Sequence, residues 1–129
     1  MKKTYLLRIK VMIVNDEDVI RDYLKGVLKS AGIHVLEAKD GYEAVKLFEE
    51  QKDTIDMVIL DMIMPGKKGD EVLRDLRNIK RDVKIIISSG FMTDRQKESL
   101  KSYHIDGFLD KPYTARVLLK TIRDLAGAQ

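Results

Sequence analysis

Apolar residues occur along the chain in short runs that end in polar or turn-forming clusters. Three runs are strong and two are weaker: 9–14 (IKVMIV), 56–60 (DMVIL) and 83–87 (VKIII), then 33–38 (IHVLEA) and 107–110 (GFLD). The strong runs are rich in Val and Ile and do not alternate with polar residues. Such runs are typical of strands that are buried on both faces of a parallel sheet.

Between these runs the apolar residues recur at helical spacing. The positions are Val19, Ile20, Tyr23, Leu24, Val27 and Leu28; Ala44, Val45, Leu47 and Phe48; Val72, Leu73 and Leu76; Leu100 and Tyr103; Val117, Leu118, Ile122 and Leu125. Five alternations of strand and helix predict an α/β fold, a doubly wound five-stranded parallel sheet flanked by five helices. The 129 residues suit a single domain over 1–129, with a core at about 9–125.

Polar clusters follow four of the predicted strands. They are 15–18 (NDED), Asp61, 88–90 (SSG) and 110–112 (DKP). Because ligands bind beyond the carboxyl ends of the strands in such sheets, we expect these clusters to meet on one rim. One of the acids Asp16, Glu17 and Asp18 is also expected to cap the first helix.

The chemistry of this rim indicates phosphoryl transfer. Asp16 and Asp61 would repel each other unless a cation offsets their charge, and oxygen ligands beside a phosphate favour Mg²⁺. Lys111 adds a positive charge, and Ser88 or Ser89 adds a hydroxyl. A carboxylate can attack in line while metal and lysine neutralise the transferred group, which gives an acyl phosphate.

Composition narrows the class of protein. The net charge is +3 with scattered basic residues, so direct nucleic-acid binding is not expected. The absence of cysteine excludes disulfides and thiolate metal sites. No apolar stretch approaches the roughly 20 residues that span a bilayer, and no signal peptide is recognisable, so a cytoplasmic protein without membrane contact is expected.

The chain resembles the receiver domains of two-component response regulators. The resemblance is carried, in order, by VMIVNDED, DMVILDMIMPGKKGDEVLRDLR, VKIIISSGF and GFLDKPY, and covers roughly 9–125. It implies a flavodoxin-like receiver fold. It also implies that Asp61 accepts a phosphoryl group from the phosphohistidine of a sensor histidine kinase or histidine phosphotransfer domain. The domain would catalyse only its own phosphorylation and dephosphorylation.

The resemblance assigns the remaining roles residue by residue. Mg²⁺ would be held by Asp16, Asp61 and the Ile63 carbonyl, Lys111 would contact the phosphoryl group, and Phe108 would be the aromatic switch. Ser89 would be the switch hydroxyl, chosen over Ser88 because a small residue, Gly90, follows it. The Lys111–Pro112 peptide bond would be cis.

One position departs from the family pattern, and two others are expected to affect how long the phosphoryl group persists. Asn15 stands where the family usually has a second acid, so we expect weak or water-mediated Mg²⁺ contact there, and tighter binding in Asn15→Asp. Ile63 and Phe91 are apolar at positions that influence the lifetime of the phosphoryl group. Because neither side chain positions a water, self-dephosphorylation is expected to be slow.

Two other functions are disfavoured by the sequence, and two alternatives stand beside the main one. A phosphatase of the haloacid dehalogenase type needs an acid where Ile63 stands, and a dinucleotide-binding domain needs a glycine motif that the sequence lacks. A receiver-like docking module without phosphorylation is a further alternative. So is a receiver segment of a hybrid sensor kinase, although the opening MKKTYLLRIK favours a stand-alone regulator. The sequence does not indicate the downstream partner of the domain. A further hypothesis is homodimerisation through the face of the fourth helix, fifth strand and fifth helix, where Tyr103, Arg116 and Lys120 are candidates.

Overall fold

The computed structural model describes residues 9–90 and 92–127. Within these residues the strands are β1 (Lys10–Val14), β2 (His34–Ala38), β3 (Met57–Asp61), β4 (Lys84–Ser89) and β5 (Gly107–Asp110). The helices are α1 (Asp18–Ser30), α2 (Gly41–Gln51), α3 (Gly69–Ile79), α4 (Asp94–Leu100) and α5 (Ala115–Ala126). Each predicted strand and helix is therefore found.

The five strands form one parallel sheet in the order β2-β1-β3-β4-β5. The predicted doubly wound sheet is confirmed. The chain passes from β1 outward to β2 and then returns to the other side of β1 with β3, so the strand order reverses between β1 and β3. The carboxyl ends of these two strands frame a crevice at this switch point, which is the usual ligand position in such sheets.

The core consists of two apolar layers, one on each face of the sheet. Met12 and Val58 contribute to the layer that contains Phe48 of α2, whereas Val11 and Ile59 contribute to the opposite layer with α1 and α5. Successive strand side chains alternate between the faces, and both faces are covered. This explains why the strong apolar runs contain no polar alternation.

Three residues predicted for apolar helix faces are instead exposed. Val19 and Tyr23 on α1 are 79% and 51% exposed, and Val117 on α5 is 45% exposed. Successive helical residues are about 100° apart, so a broad apolar stripe extends past the edge that contacts the sheet. The fourth helix is also shorter than predicted, because Tyr103 lies in a separate 3₁₀ turn at Lys101–Tyr103.

Candidate functional site

Asp61 lies at the carboxyl end of β3 and is 3% exposed. The Lys111 ammonium group lies 3.5 Å from Asp61 Oδ2, although 50 residues separate the two in sequence. The loop after β5 reaches β4 through a hydrogen bond from the Lys111 N–H to the Ser89 carbonyl, at 2.8 Å. The predicted convergence of these polar residues on one rim is therefore observed for Asp61 and Lys111.

The electrostatics of Asp61 are dominated by its burial. Burial raises the pKa of the Asp61 carboxyl, and the nearby negative charge of Asp16 acts in the same direction. The Ile63 N–H, which donates to Asp61 Oδ1 at 3.1 Å, and the Lys111 cation oppose this rise without cancelling it. The folded protein therefore holds a carboxylate that positive charge or a bound cation would stabilise further.

Asn15 and Asp16 follow β1 on the neighbouring side of the crevice. Asn15 is buried, and its Oδ1 accepts a hydrogen bond from the Glu17 N–H at 2.9 Å. The prediction that one of the acids 16–18 caps α1 is wrong for the N-cap residue, because Glu17 forms no side-chain cap hydrogen bond. Asn15 organises this loop instead, since a short amide side chain readily bonds the backbone two residues on.

The groups that could bind a metal in the crevice suit Mg²⁺ better than an ion that takes all its ligands from the protein. Among the described residues, no group of three or more His, Asp or Glu side chains could hold a metal. The crevice instead holds the Asp61 carboxylate and, near enough to act on the pKa of Asp61, the carboxylate of Asp16. Mg²⁺ usually keeps several waters and takes one or two carboxylates, so these two acids fit it.

The two candidate serines at the end of β4 face different environments. Ser88 pairs with Asp61 across the ladder, and its Oγ lies 3.4 Å from the Tyr113 hydroxyl, a long hydrogen-bond distance. Ser89 is also buried, and lines a cavity with Ile63 and Met92. The switch role of Ser89 stays a prediction, and Phe91 lies outside the described residues.

Phe108 lies on β5 and is partly exposed. The Lys97 ammonium of α4 sits 5.4 Å from the centre of the Phe108 ring and 3.7 Å from Asp110 Oδ1. Because Phe108 and Asp110 are two residues apart on a strand, one lysine contacts both on the same face. The predicted cis bond between Lys111 and Pro112 is confirmed.

The loop between β3 and α3 requires glycine for close packing. A Cβ on Gly69 would lie 2.7 Å from Met62 Sδ and 2.9 Å from Met62 Cα. Gly66, with a φ of +84°, occupies the left-handed region that favours glycine. These glycines hold the segment that includes Ile63 against the start of α3. The sequence analysis missed this role of Gly69.

Arg21 is a second residue that sequence reasoning missed. Its side chain is 12% exposed, and its guanidinium donates to the Asn15 carbonyl and to Glu37. No periodic pattern distinguishes an arginine that turns back toward its own loop from one that faces solvent.

No helix among the residues in 9–90 and 92–127 combines the length and apolarity needed to cross a membrane.

Comparison with known proteins places the chain among receiver domains. The family model described as the response regulator receiver domain matches residues 11–123. Sensor kinase CckA of Brucella abortus is 35% identical over 119 residues, which are 92% of this chain and 13% of that protein. Response regulator RR06 of Streptococcus pneumoniae is 31% identical over 115 residues, 89% of this chain and 52% of that protein.

A solved structure has the same fold. The CheX–CheY–BeF₃–Mg²⁺ complex from Borrelia burgdorferi matches with a TM-score of 0.86 at 24% identity, and covers 91% of this chain and 88% of that one. The chain thus spans about half the length, or less, of the curated relatives named above.

Proposed function

Because the chain belongs to the response regulator receiver domain family, we propose that it is a signalling domain that accepts a phosphoryl group on Asp61. The observation that carries the proposal is the burial of Asp61 at the switch point of the sheet with the Lys111 ammonium group 3.5 Å away. An Asp61 oxygen attacks phosphorus in line, and the P–N bond of the phosphohistidine donor breaks. The imidazole leaves with its electron pair, and an acyl phosphate forms.

Lys111 supplies positive charge where the transferred group arrives. Its ammonium lies beside Asp61 Oδ2, so it can contact a phosphoryl oxygen without leaving the rim. Asp16, Asp61 and the Ile63 carbonyl would hold Mg²⁺, with Asn15 making a weak or water-mediated contact. When bound, that ion would neutralise charge that develops on the phosphoryl oxygens. The Mg²⁺ present in the Borrelia complex supports this choice of ion.

The proposed output is a change in the face formed by α4, β5 and α5. Ser89 would move toward the phosphoryl group, and Phe108 would change rotamer with it. Phosphorylation would thereby bias an equilibrium between two conformations. Arg116 and Lys120 of α5 stay candidates for that face, whereas Tyr103 lies in the 3₁₀ turn beside Arg77 of α3. An unidentified downstream protein or a second copy of the chain would bind to the face. The domain catalyses only its own phosphorylation and dephosphorylation.

The phosphodonor is proposed to dock beside the crevice, on α1. Val19 and Tyr23 are exposed there, and Tyr23 lines an apolar groove with Pro112 and Tyr113. A histidine kinase or histidine phosphotransfer domain that covers this groove would bring its imidazole close to Asp61. We take 9–125 as the core of the domain within 1–129, and the cytoplasmic location stays a prediction.

A second reading is that the chain corresponds to a receiver segment of a hybrid sensor kinase. The 35% identity with sensor kinase CckA favours it, because the match covers 92% of this chain but only 13% of that protein. The chemistry proposed for Asp61 is the same in both readings. A docking module without phosphorylation is the alternative that the following experiment would favour if Asp61 proved inert.

Incubation with acetyl phosphate and Mg²⁺, followed by intact mass measurement, tests the proposal. The wild type should gain one phosphoryl group, and EDTA should abolish the gain. Asp61→Asn should show none. Asp70→Asn is a matched control, because Asp70 lies in the first turn of α3 near the same rim. A folded wild type that gains no mass, or an equal gain in Asp61→Asn, would refute the assignment.

A further inference from the structure

Arg21 lies in α1, but its side chain turns back toward the loop that precedes the helix. Its Nη1 donates to the Asn15 carbonyl at 2.7 Å and its Nε donates to Glu37 Oε1 at 3.3 Å. Nη2 contacts Asp18 in a close ion pair. One guanidinium therefore ties the loop after β1 to α1 and to the edge strand β2.

The neighbours of Asp16 are held from both sides. The Asn15 carbonyl is bound by Arg21, and the Asn15 N–H donates to the Ala38 carbonyl of β2 at 3.1 Å. The Glu17 N–H donates to Asn15 Oδ1 at 2.9 Å. The carbonyl of residue 15 belongs to the peptide plane before Asp16, and the N–H of residue 17 belongs to the plane after it.

Fixing these two planes fixes the backbone of Asp16. Each peptide unit is planar, so only φ and ψ of Asp16 relate one plane to the next. With both planes anchored, the direction of the Asp16 Cα–Cβ bond is set by groups outside its own side chain. Among the described residues none donates a hydrogen bond to the Asp16 carboxylate, so its aim depends on this backbone arrangement.

The charge of Arg21 is largely balanced by its partners. Asp18 and Glu37 both lie within ion-pair distance of the guanidinium. Glu37 is shared with Lys25, whose Nζ lies 2.9 Å from Glu37 Oε2. Arg21 therefore adds little net positive charge to the crevice. Its distinctive contact is the hydrogen bond to the Asn15 carbonyl, which Lys25 does not make.

We propose that Arg21 is a positioning residue for the magnesium-binding end of the site: by holding the Asn15 carbonyl, it aims the Asp16 carboxylate at the metal. This inference rests on the proposed function, because it requires Asp16 to be a metal ligand. Arg21 itself touches neither metal nor phosphoryl group. Groups that orient ligands in this way commonly change metal affinity by about 10–100-fold when removed.

Arg21→Met and Lys25→Met form a matched pair for testing the role. Each substitution removes from α1 a positive charge that contacts Glu37 of β2, but only Arg21→Met also removes the hydrogen bond to the Asn15 carbonyl. The Mg²⁺ dissociation constant is measured by titration calorimetry, without any phosphodonor. We expect a rise of about tenfold in Arg21→Met, the low end of the range for such partners, and little change in Lys25→Met.

Arg21→Lys keeps the positive charge but cannot present the same fork of donors. We expect it to weaken Mg²⁺ binding nearly as much as Arg21→Met, and it provides a second variant if Arg21→Met fails to fold. Unfolding measured in EDTA, where no metal is bound, gives the loss of stability of each variant separately from its metal affinity. Unchanged Mg²⁺ affinity in folded Arg21→Met or Arg21→Lys would overturn the role, as would equal weakening in Lys25→Met. Wild type that binds no Mg²⁺ would instead overturn the proposed metal site itself.

Discussion

Replacing Arg77 by methionine should destabilise the protein strongly. Arg77 of α3 is 10% exposed and donates to the carbonyl groups of Val83, Tyr103 and His104. It also forms an ion pair with Asp106, which is equally buried, at 3.1 Å. Removing one partner of a buried pair costs about 3–5 kcal/mol, because the other charge then stays buried without its counter-ion. The Ile85 N–H, which donates to Asp106 Oδ2 at 2.8 Å, would still stabilise that charge in part. That loss is a large part of the roughly 5–15 kcal/mol by which a domain is stable.

The assay is urea unfolding at neutral pH, followed by far-ultraviolet circular dichroism. Arg74→Met is the control, because Arg74 lies on the same helix but is half exposed and 3.7 Å from Asp75. Its loss should stay below about 1 kcal/mol, as for most exposed pairs. A loss below about 1 kcal/mol in Arg77→Met would refute the reasoning, since the guanidinium would then not hold the 3₁₀ turn after α4 to β4 and α3.

Three other substitutions test separate features. Because burial raises the pKa of the Asp61 carboxyl, its negative charge opposes folding at neutral pH. Asp61→Asn should therefore raise the melting temperature in EDTA at pH 7, and the gain should vanish below about pH 4, where the carboxyl is protonated in the unfolded chain as well. Gly69→Ala should cost about 1–3 kcal/mol in urea unfolding because its Cβ would collide with Met62; wild-type stability would contradict the close packing. We expect Lys97→Met to speed phosphorylation by acetyl phosphate about 2–5-fold, because the Lys97 ammonium over the Phe108 ring would hold the proposed aromatic switch in its present rotamer by about 0.5–1 kcal/mol. An unchanged rate would show that Lys97 does not restrain the switch.

The fold could be predicted because both its signals are local. Val- and Ile-rich runs marked β1, β3 and β4, and helical spacing marked the segments between them. The short run at 107–110 coincides with β5, which pairs with β4 along its whole length. The exposure of Val19 and Tyr23 could not be predicted, since periodicity gives the direction of an apolar stripe but not the width of the surface that covers it.

The candidate site could be predicted only as far as topology reaches. A parallel sheet brings the carboxyl ends of its strands to one rim, which was enough to place Asp61 beside Lys111. The bonds of Arg21 and the turn formed by Asn15 depend on how individual side chains fold back onto the backbone. Neither composition nor residue spacing shows whether these side chains bond the backbone, because the same residues would also be compatible with a solvated helix start.

The most direct test of the central claim is to locate the phosphoryl group. The protein is phosphorylated with acetyl phosphate and Mg²⁺, and then reduced with borohydride, which converts an aspartyl phosphate to homoserine. Peptide mass analysis reads the converted position. We predict homoserine at position 61 alone. Conversion at another acid, or none in a protein that has gained the phosphoryl mass, would contradict Asp61 as the acceptor.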